Sequence, residues 1–205
     1  MLNSQFSIIY ANVSSVFQGR EKMRVITGSA RGKILATLEG DDVRPTTDRV
    51  KEALFSIIQF EIEGRKVLDL FGGCGQLAIE ALSRGAKSAV IVDSSKKSID
   101  VIKKNLVATD FLHNAVVVNC DATVFLSSKL EKYDIAFLDP PYSTGVLEKA
   151  LEVLPSVMNE TGVIICEAPF TDELPQKVGN FELFKKYRYG KTGIFTYRVP
   201  EEGEI

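Results

Sequence analysis

KVLDLFGGCGQLAIEALSRGA, residues 66–86, decides how this chain folds. A short β-rich run (66–70) enters a glycine turn, Gly72-Gly73-Cys74-Gly75, and the apolar period then lengthens from two residues to the helical one over about 76–84. Strand, glycine turn and helix in that order form the opening unit of a doubly wound sheet. Reading outward, the alternation recurs. SAVIVD (88–93), AVVVN (115–119), YDIAFLD (133–139) and GVIICEA (162–168) are apolar nearly throughout, and helical patterns at about 95–108, 122–130 and 145–157 separate them. Strands of that kind are buried on both faces of a parallel sheet. The ending differs: FELFKKYRYG (181–190) and GIFTYRV (193–199) read as an antiparallel hairpin turning at Lys191–Thr192. The fold expected is α/β, a Rossmann-like, doubly wound, mostly parallel seven-stranded sheet with a reversed C-terminal hairpin strand. Upstream, RVITGSARGKILATL (24–38) reads as two strands around a glycine-containing turn. RPTTDRVKEALFSIIQF (44–60) reads as a helix capped by Thr46 or Thr47, with Val50, Leu54, Ile57 and Ile58 as its apolar stripe. Three parts follow: a loosely held extension over 1–22, with Met23 as the functional start and a transit peptide as the competing reading; an N-terminal hairpin and helix appendage over 23–60; and the α/β domain over 61–200.

Composition narrows the chemistry. The chain has 205 residues, is 45% hydrophobic and 25% charged, and carries a net charge of −2, the balance of an ordinary globular protein. No apolar run reaches the roughly 18 residues that cross a bilayer, and the opening is a poor secretory signal, so a cytoplasmic protein without membrane contact is expected. Cys74, Cys120 and Cys166 are scattered and fit a reducing compartment. His113 is the only histidine and sits in a loop-like DFLHN. One histidine and no paired cysteines leave no basis for a metal site, and the same scarcity excludes Ser-His-Asp and Cys-His hydrolases. Two basic patches stand out against the net charge. Residues 20–51 hold eight Lys/Arg against five acids, and KKYRYGK (185–191) holds four basic residues and no acid. Either is a phosphate-contacting surface or a solvated face.

The chemistry-bearing residues lie at the strand ends. Phe71, Gly73 and Gly75 shape a turn that lets a ligand approach the backbone closely. Gly73-x-Gly75-x-x-Ala78 with Asp93 also fits a dinucleotide fingerprint, so the turn alone leaves a nicotinamide cofactor open. Asp69 weighs against it: a carboxylate four residues before Gly73 repels a pyrophosphate and favours the sulfonium or ammonium of S-adenosylmethionine, unless it only ties down the turn. Asp93, ending the second strand, suits ribose hydroxyls. Asp121-Ala122, after the third, either meets the adenine or caps a helix. Asp139-Pro140-Pro141-Tyr142, directly after the fourth strand, is the most specific motif. An exocyclic amino group on a base is a poor nucleophile because its lone pair is delocalised. The Asp139 carboxylate and Pro140 carbonyl can accept its two N–H bonds and aim the lone pair at a methyl group. Neither proline donates, Pro141 restricts Pro140, and Tyr142 can stack on the base. Methyl transfer then needs alignment more than a strong base.

These motifs resemble the class I amino-methyltransferases. Met23-Arg24-Val25-Ile26-x-Gly28, Arg44-Pro45-Thr46-x-Asp48-Arg49-Val50-Lys51-Glu52-Ala53-Leu54-Phe55, Leu77–Arg84-Gly85-Ala86, Asp139–Tyr142 and Arg188-x-Tyr-Gly-x-Thr192 further resemble the RsmD family, bacterial 16S rRNA guanine-N2 methyltransferases. The resemblance runs from Met23 to about Tyr197. It implies a domain that binds S-adenosylmethionine as methyl donor and needs no metal. It implies a cofactor site lined by Asp69, Gly73, Gly75, Asp93 and Asp121, a target guanine held by Asp139, Pro140 and Tyr142, and a Thr46–Arg49 segment closing over the methionine end. It also implies 16S rRNA or an assembling small subunit as partner, with the protein acting as a monomer. This chain departs from the family pattern in having Asp93 where Glu is frequent and Gly72 and Cys74 within the turn. Alternatives are an adenine-N6 methyltransferase of DNA or RNA, a protein glutamine methyltransferase (disfavoured by Asp139), a nicotinamide oxidoreductase, and a non-catalytic RNA-binding assembly factor.

Overall fold

A computed structural model describes residues 23–38, 48–128, 131–141 and 145–200. The expectations for residues 1–22, the Thr46 or Thr47 cap and Tyr142 lie outside them. Helix α1 (Asp48–Ile57) leads into β1 (Lys66–Asp69), α2 (Gln76–Ser83), β2 (Ser88–Asp93), α3 (Lys96–Thr109), β3 (Ala115–Asn119), α4 (Ala122–Ser127), β4 (Tyr133–Leu138), α5 (Val146–Val153) and β5 (Met158–Pro169). The chain closes with β6 (Lys177–Val178), β7 (Phe181–Tyr189) and β8 (Thr192–Arg198). One eight-stranded sheet results, in the order β3-β2-β1-β4-β5-β8-β7-β6. The first five positions are parallel, and β8 and β7 run antiparallel to their neighbours.

Three details of the sheet differ from the sequence expectation. A two-residue strand, β6, raises seven strands to eight; it pairs only through Lys177 and Val178, too short for any periodicity. The hairpin turns at Gly190–Lys191, since Tyr189 pairs with Thr192, and Gly190 takes the left-handed φ of 64° that such a turn demands. β5 begins at Met158 because Met158 pairs with Tyr133, ahead of an irregularity in β5 after which Val163 pairs with Ile135.

The sheet is covered on both faces. Val67, Ala89, Ile91, Ile135, Phe137 and Ile165 face a cluster with α1, α2 and α3. The alternate residues Leu68, Val92, Ala136, Leu138, Ile164 and Cys166 face α4 and α5. β1, β2, β4 and β5 are therefore apolar on both sides, while β3, at the edge of the sheet, buries no residue fully and leaves Val116 exposed. α2 is buried along its whole length, Gln76 through Ser83.

The N-terminal segment makes a single antiparallel bridge, Arg24 to Ile34, where two strands were expected. Val25 N–H donates to Lys33 O and Leu35 N–H to Met23 O, both at 2.9 Å, and the backbone between them bonds to α2. Ile26 and Thr27 N–H donate to the two oxygens of Glu80 at 2.7 and 2.9 Å. Ala30 N–H donates to Ser83 Oγ at 3.0 Å, and that hydroxyl donates to Thr27 O at 2.6 Å. Gly28, at φ 87°, passes so close to Ser83 that a Cβ there would stand 1.7 Å from its carbonyl oxygen. Lys51 of α1 is fully buried beneath the segment, donating to Arg24 O at 2.6 Å and lying 4.0 Å from Glu80. Among the described residues no helix is long and apolar enough to cross a membrane.

Candidate active site

Between β1 and β4 the chain's winding reverses: β1, β2 and β3 step one way across the sheet, β4 and β5 the other. At such a reversal the carboxyl ends of the strands open a crevice. Asp69, Phe71, Gly73, Gly75, Asp93, Asp121, Ala122 and Asp139 all lie at the carboxyl ends of β1 to β4 or just past them. The Leu70 N–H reaches Phe137 O at 3.1 Å, which brings the start of the glycine turn against the strand that delivers Asp139.

The turn is tight and lies flat on β2. Gly72 N–H donates to Val92 O at 2.9 Å, and Gly75 N–H closes on Gly72 O at 2.6 Å. Gly73 and Gly75 adopt φ of 55° and 81°, and a Cβ on Gly72 would stand 2.4 Å from Ile91 Cγ2. Asn105 of α3 fastens the turn from outside. Its amide nitrogen donates to Cys74 O at 2.8 Å and to Ala36 O at 2.9 Å, while its oxygen accepts from Ala36 N–H at 2.8 Å. Cys74 packs its sulfur 3.2 Å from that of Met23, and burial pushes its thiol up to about 11, so it stays protonated.

Asp69 is 1% exposed. Its Oδ2 accepts from Ala78 N–H at 3.3 Å, anchoring α2, while Oδ1 has no hydrogen-bond partner. Burial, with a smaller push from the Asp93 charge, raises its carboxyl to about 7 against the pull of the Ala78 and Phe71 N–H groups. Such a carboxylate ionises fully only when a cation arrives. Gln76, the first residue of α2, is equally informative and was not singled out from sequence. It is 9% exposed, and its Oε1 is the other buried side-chain oxygen without a partner among the described residues. A long polar residue heading a helix whose next three residues are apolar was the available signal.

Asp93 is spoken for on both oxygens, yet keeps lone pairs on each. Oδ2 accepts from Gly73 N–H and Oδ1 from Ser95 N–H, both at 2.8 Å. Asp121 caps α4: its Oδ1 accepts from Thr123 N–H at 2.9 Å, Thr123 Oγ1 at 2.6 Å and Val124 N–H at 3.2 Å. The Thr123 hydroxyl bond is the main reason its carboxyl is held below the usual range. Ala122 beside it is buried. Asp139 is half-buried, Pro140 buried and Pro141 exposed, one after another past the end of β4. Arg49 is exposed in the first turn of α1, beside Asp48, which pairs with Arg24 at 3.3 Å.

A parallel sheet in the order 3-2-1-4-5, closed by a reversed hairpin and holding a buried acid under its first glycine turn, defines a Rossmann-like methyltransferase. The solved "Putative methyltransferase yhhF" of Escherichia coli superposes on 89% of this chain and 100% of its own, with a TM-score of 0.76 at 33% identity. A family model described as Conserved hypothetical protein 95 matches residues 23–198, and the chain belongs to that family, the RsmD family. Relatives include the "Ribosomal RNA small subunit methyltransferase D" of Escherichia coli strain K12, 34% identical over 91% of this chain and 94% of its own. The "Putative rRNA methyltransferase YlbH" of Bacillus subtilis strain 168 is 38% identical over 86% of this chain and 98% of its own.

Proposed function

We propose that this protein is an rRNA methyltransferase that moves a methyl group from S-adenosylmethionine to the exocyclic N2 of a guanine in small-subunit 16S rRNA, free or within an assembling particle, acting as a monomer. The observation that carries the reading is the unpartnered oxygen of buried Asp69 beside a strand end bearing Asp139-Pro140-Pro141. S-adenosylmethionine supplies an electrophilic methyl group on a cationic sulfonium. The residues of the cleft fit it. Asp69 Oδ1 and Gln76 Oε1 are acceptors awaiting donors, which the ammonium of the methionine end provides. Asp93 takes the ribose hydroxyls on its remaining lone pairs. Gly73 and Gly75 admit the ligand against the backbone, Phe71 and Ala122 give the adenine apolar contact, and Asp121 reads its edge. Thr46 and Arg49 close over the methionine end.

On the neighbouring strand end, the Asp139 carboxylate and the Pro140 carbonyl accept the two N–H bonds of the guanine amino group. Pro141 stiffens the loop, and Tyr142 stacks on the base for about 1–3 kcal/mol. The rate gain comes from alignment of nitrogen, carbon and sulfur. Once methylated, the nitrogen is acidic and passes a proton to Asp139 or solvent. Asp139→Ala tests this: titration calorimetry should show donor binding retained while transfer of labelled methyl to rRNA is lost, and full activity overturns the role. Mass spectrometry of small-subunit rRNA from cells lacking the protein should miss one N2-methylguanine. A missing N6-methyladenine instead would make the enzyme an adenine methyltransferase.

A further inference from the structure

We propose that the C-terminal hairpin is the surface that holds the RNA phosphates flanking the target nucleotide, with Lys185, Arg188 and Lys191 as the contacts. The inference rests on the reading of the substrate as rRNA.

Strand register places the hairpin beside the site. Leu138 pairs with Cys166, Cys166 with Phe195 and Phe195 with Lys186, one rung across β4, β5, β8 and β7. Asp139 follows Leu138, and Tyr187 and Arg188 follow Lys186, so the basic run stands level with the Asp-Pro-Pro loop. Three strand spacings separate them, about 14 Å. Beyond that rung the hairpin rises above the rim: Thr192 pairs with Pro169, the last residue of β5, and Phe170 N–H donates to Lys191 O at 2.8 Å. The hairpin tip and the proposed methyl-accepting loop therefore share one edge of the sheet.

Charge supplies the second argument. Residues 183–197 contain four basic residues and no acid. None of the four forms an ion pair with a described carboxylate, whereas neighbouring Lys177 and Arg198 pair with Glu182 at 2.9 Å and Glu61 at 2.7 Å. Ring faces hold three of them in place instead, Lys185, Lys186 and Arg188. Lys185 lies 5.1 Å from the Tyr187 centroid and Arg188 5.0 Å from that of Phe170. Lys186, half-buried, stands 4.4 Å from Phe170 and 4.8 Å from Phe195, and donates to Asp172 O at 3.1 Å. Lys186 thus fixes the rings, and Lys185, Arg188 and Lys191 are left exposed. A ring face orients a cation without neutralising it, which suits a phosphate contact. In the N-terminal basic patch Arg24 pairs with Asp48 and Lys51 is buried, whereas Arg31 and Lys33 are exposed.

The test is RNA binding and steady-state transfer with the variant Lys185→Gln/Arg188→Gln/Lys191→Gln. Three phosphates on a single strand contribute a slope of about −2 to log affinity against log salt. The variant should lose that slope, binding small-subunit rRNA on the order of a hundredfold more weakly at 0.1 M salt and almost equally near 1 M. KM for RNA should rise while donor affinity holds. Arg188 Nε also donates to Gly190 O at 3.1 Å, so Lys185→Glu/Lys191→Glu, which spares it, guards against an unfolded hairpin. Lys177→Gln should change nothing. Wild-type binding with an unchanged salt slope in both variants overturns the hairpin surface and leaves the methyltransferase reading standing. Failure of the wild-type protein to bind or methylate rRNA overturns both.

Discussion

Glu80→Ala should be among the most damaging single changes in this protein, although Glu80 touches no ligand. Its two oxygens accept from Ile26 N–H, Thr27 N–H and Arg84 Nε at 2.7, 2.9 and 2.9 Å, and it is the buried counter-charge 4.0 Å from Lys51. Removing it strands two amides and leaves the buried Lys51 ammonium with the Arg24 carbonyl and, 3.9 Å away, Asp48. A buried N–H without an acceptor costs about 1–3 kcal/mol, and breaking a buried pair by deleting one partner costs about 3–5 kcal/mol. The contributions overlap, so about 3–5 kcal/mol in all is expected. For a chain of this size that lowers Tm by about 6–20 °C. The N-terminal segment should also loosen, exposing the bonds after Arg31 and Lys33 to trypsin before the sheet unfolds. Lys51→Met in the Glu80→Ala background removes the stranded charge, so the double variant should lose less than the sum of the two single ones. A Tm within about 2 °C of wild type, or strict additivity of the pair, would refute the idea that this carboxylate holds the segment down.

Two further outcomes follow from the same geometry. Asp69, raised to about 7 in the folded chain against about 4 when unfolded, holds more protons folded than unfolded between those values. Its contribution to ligand-free stability is therefore full below pH 4 and lost as pH rises to 7, a swing on the order of 4 kcal/mol. Asp69→Asn should flatten that part of the profile and melt above wild type at pH 8, and should bind S-adenosylmethionine poorly at every pH; identical pH–Tm curves for the two proteins would contradict the assignment. Asp121→Ala should cost about 1 kcal/mol in urea titrations through loss of the α4 cap. Donor affinity measured alongside separates its roles: a drop of threefold or more supports contact with the adenine, and an unchanged value leaves it a cap alone.

The sheet was legible because burial on both faces writes an apolar run into the inner parallel strands, and the runs at 66–70 and 88–93 mark β1 and β2 to within a residue; β3, at the edge with Val116 exposed, was found from its β-branched run at 115–119 alone. What failed to show were features set by other parts of the chain. Residues 24–38 have strand-like composition, and Val25 and Lys33 do pair across the segment, yet the amides of Ile26, Thr27, Ser29 and Ala30 go to Glu80 and Ser83, a choice made by a helix more than 50 residues away. Gly190 was read into a strand because its neighbours are β-formers; only the pairing of Tyr189 with Thr192 puts it in the turn. In the cleft, residue types that announce themselves, the glycines and the Asp-Pro-Pro run, were found at once. Gln76 was overlooked because a glutamine after a glycine turn has no distinctive spacing, and its interest lies in an oxygen that the surrounding structure leaves without a donor.

Asn105 behaves as a splice between two parts of the chain that share no covalent neighbour. One planar amide serves three main-chain groups, two on Ala36 and one on Cys74, so neither segment can shift by an ångström without dragging or breaking the other. The glycine turn and the amino-terminal arm are thus held to one another at Ala36 by a single side chain.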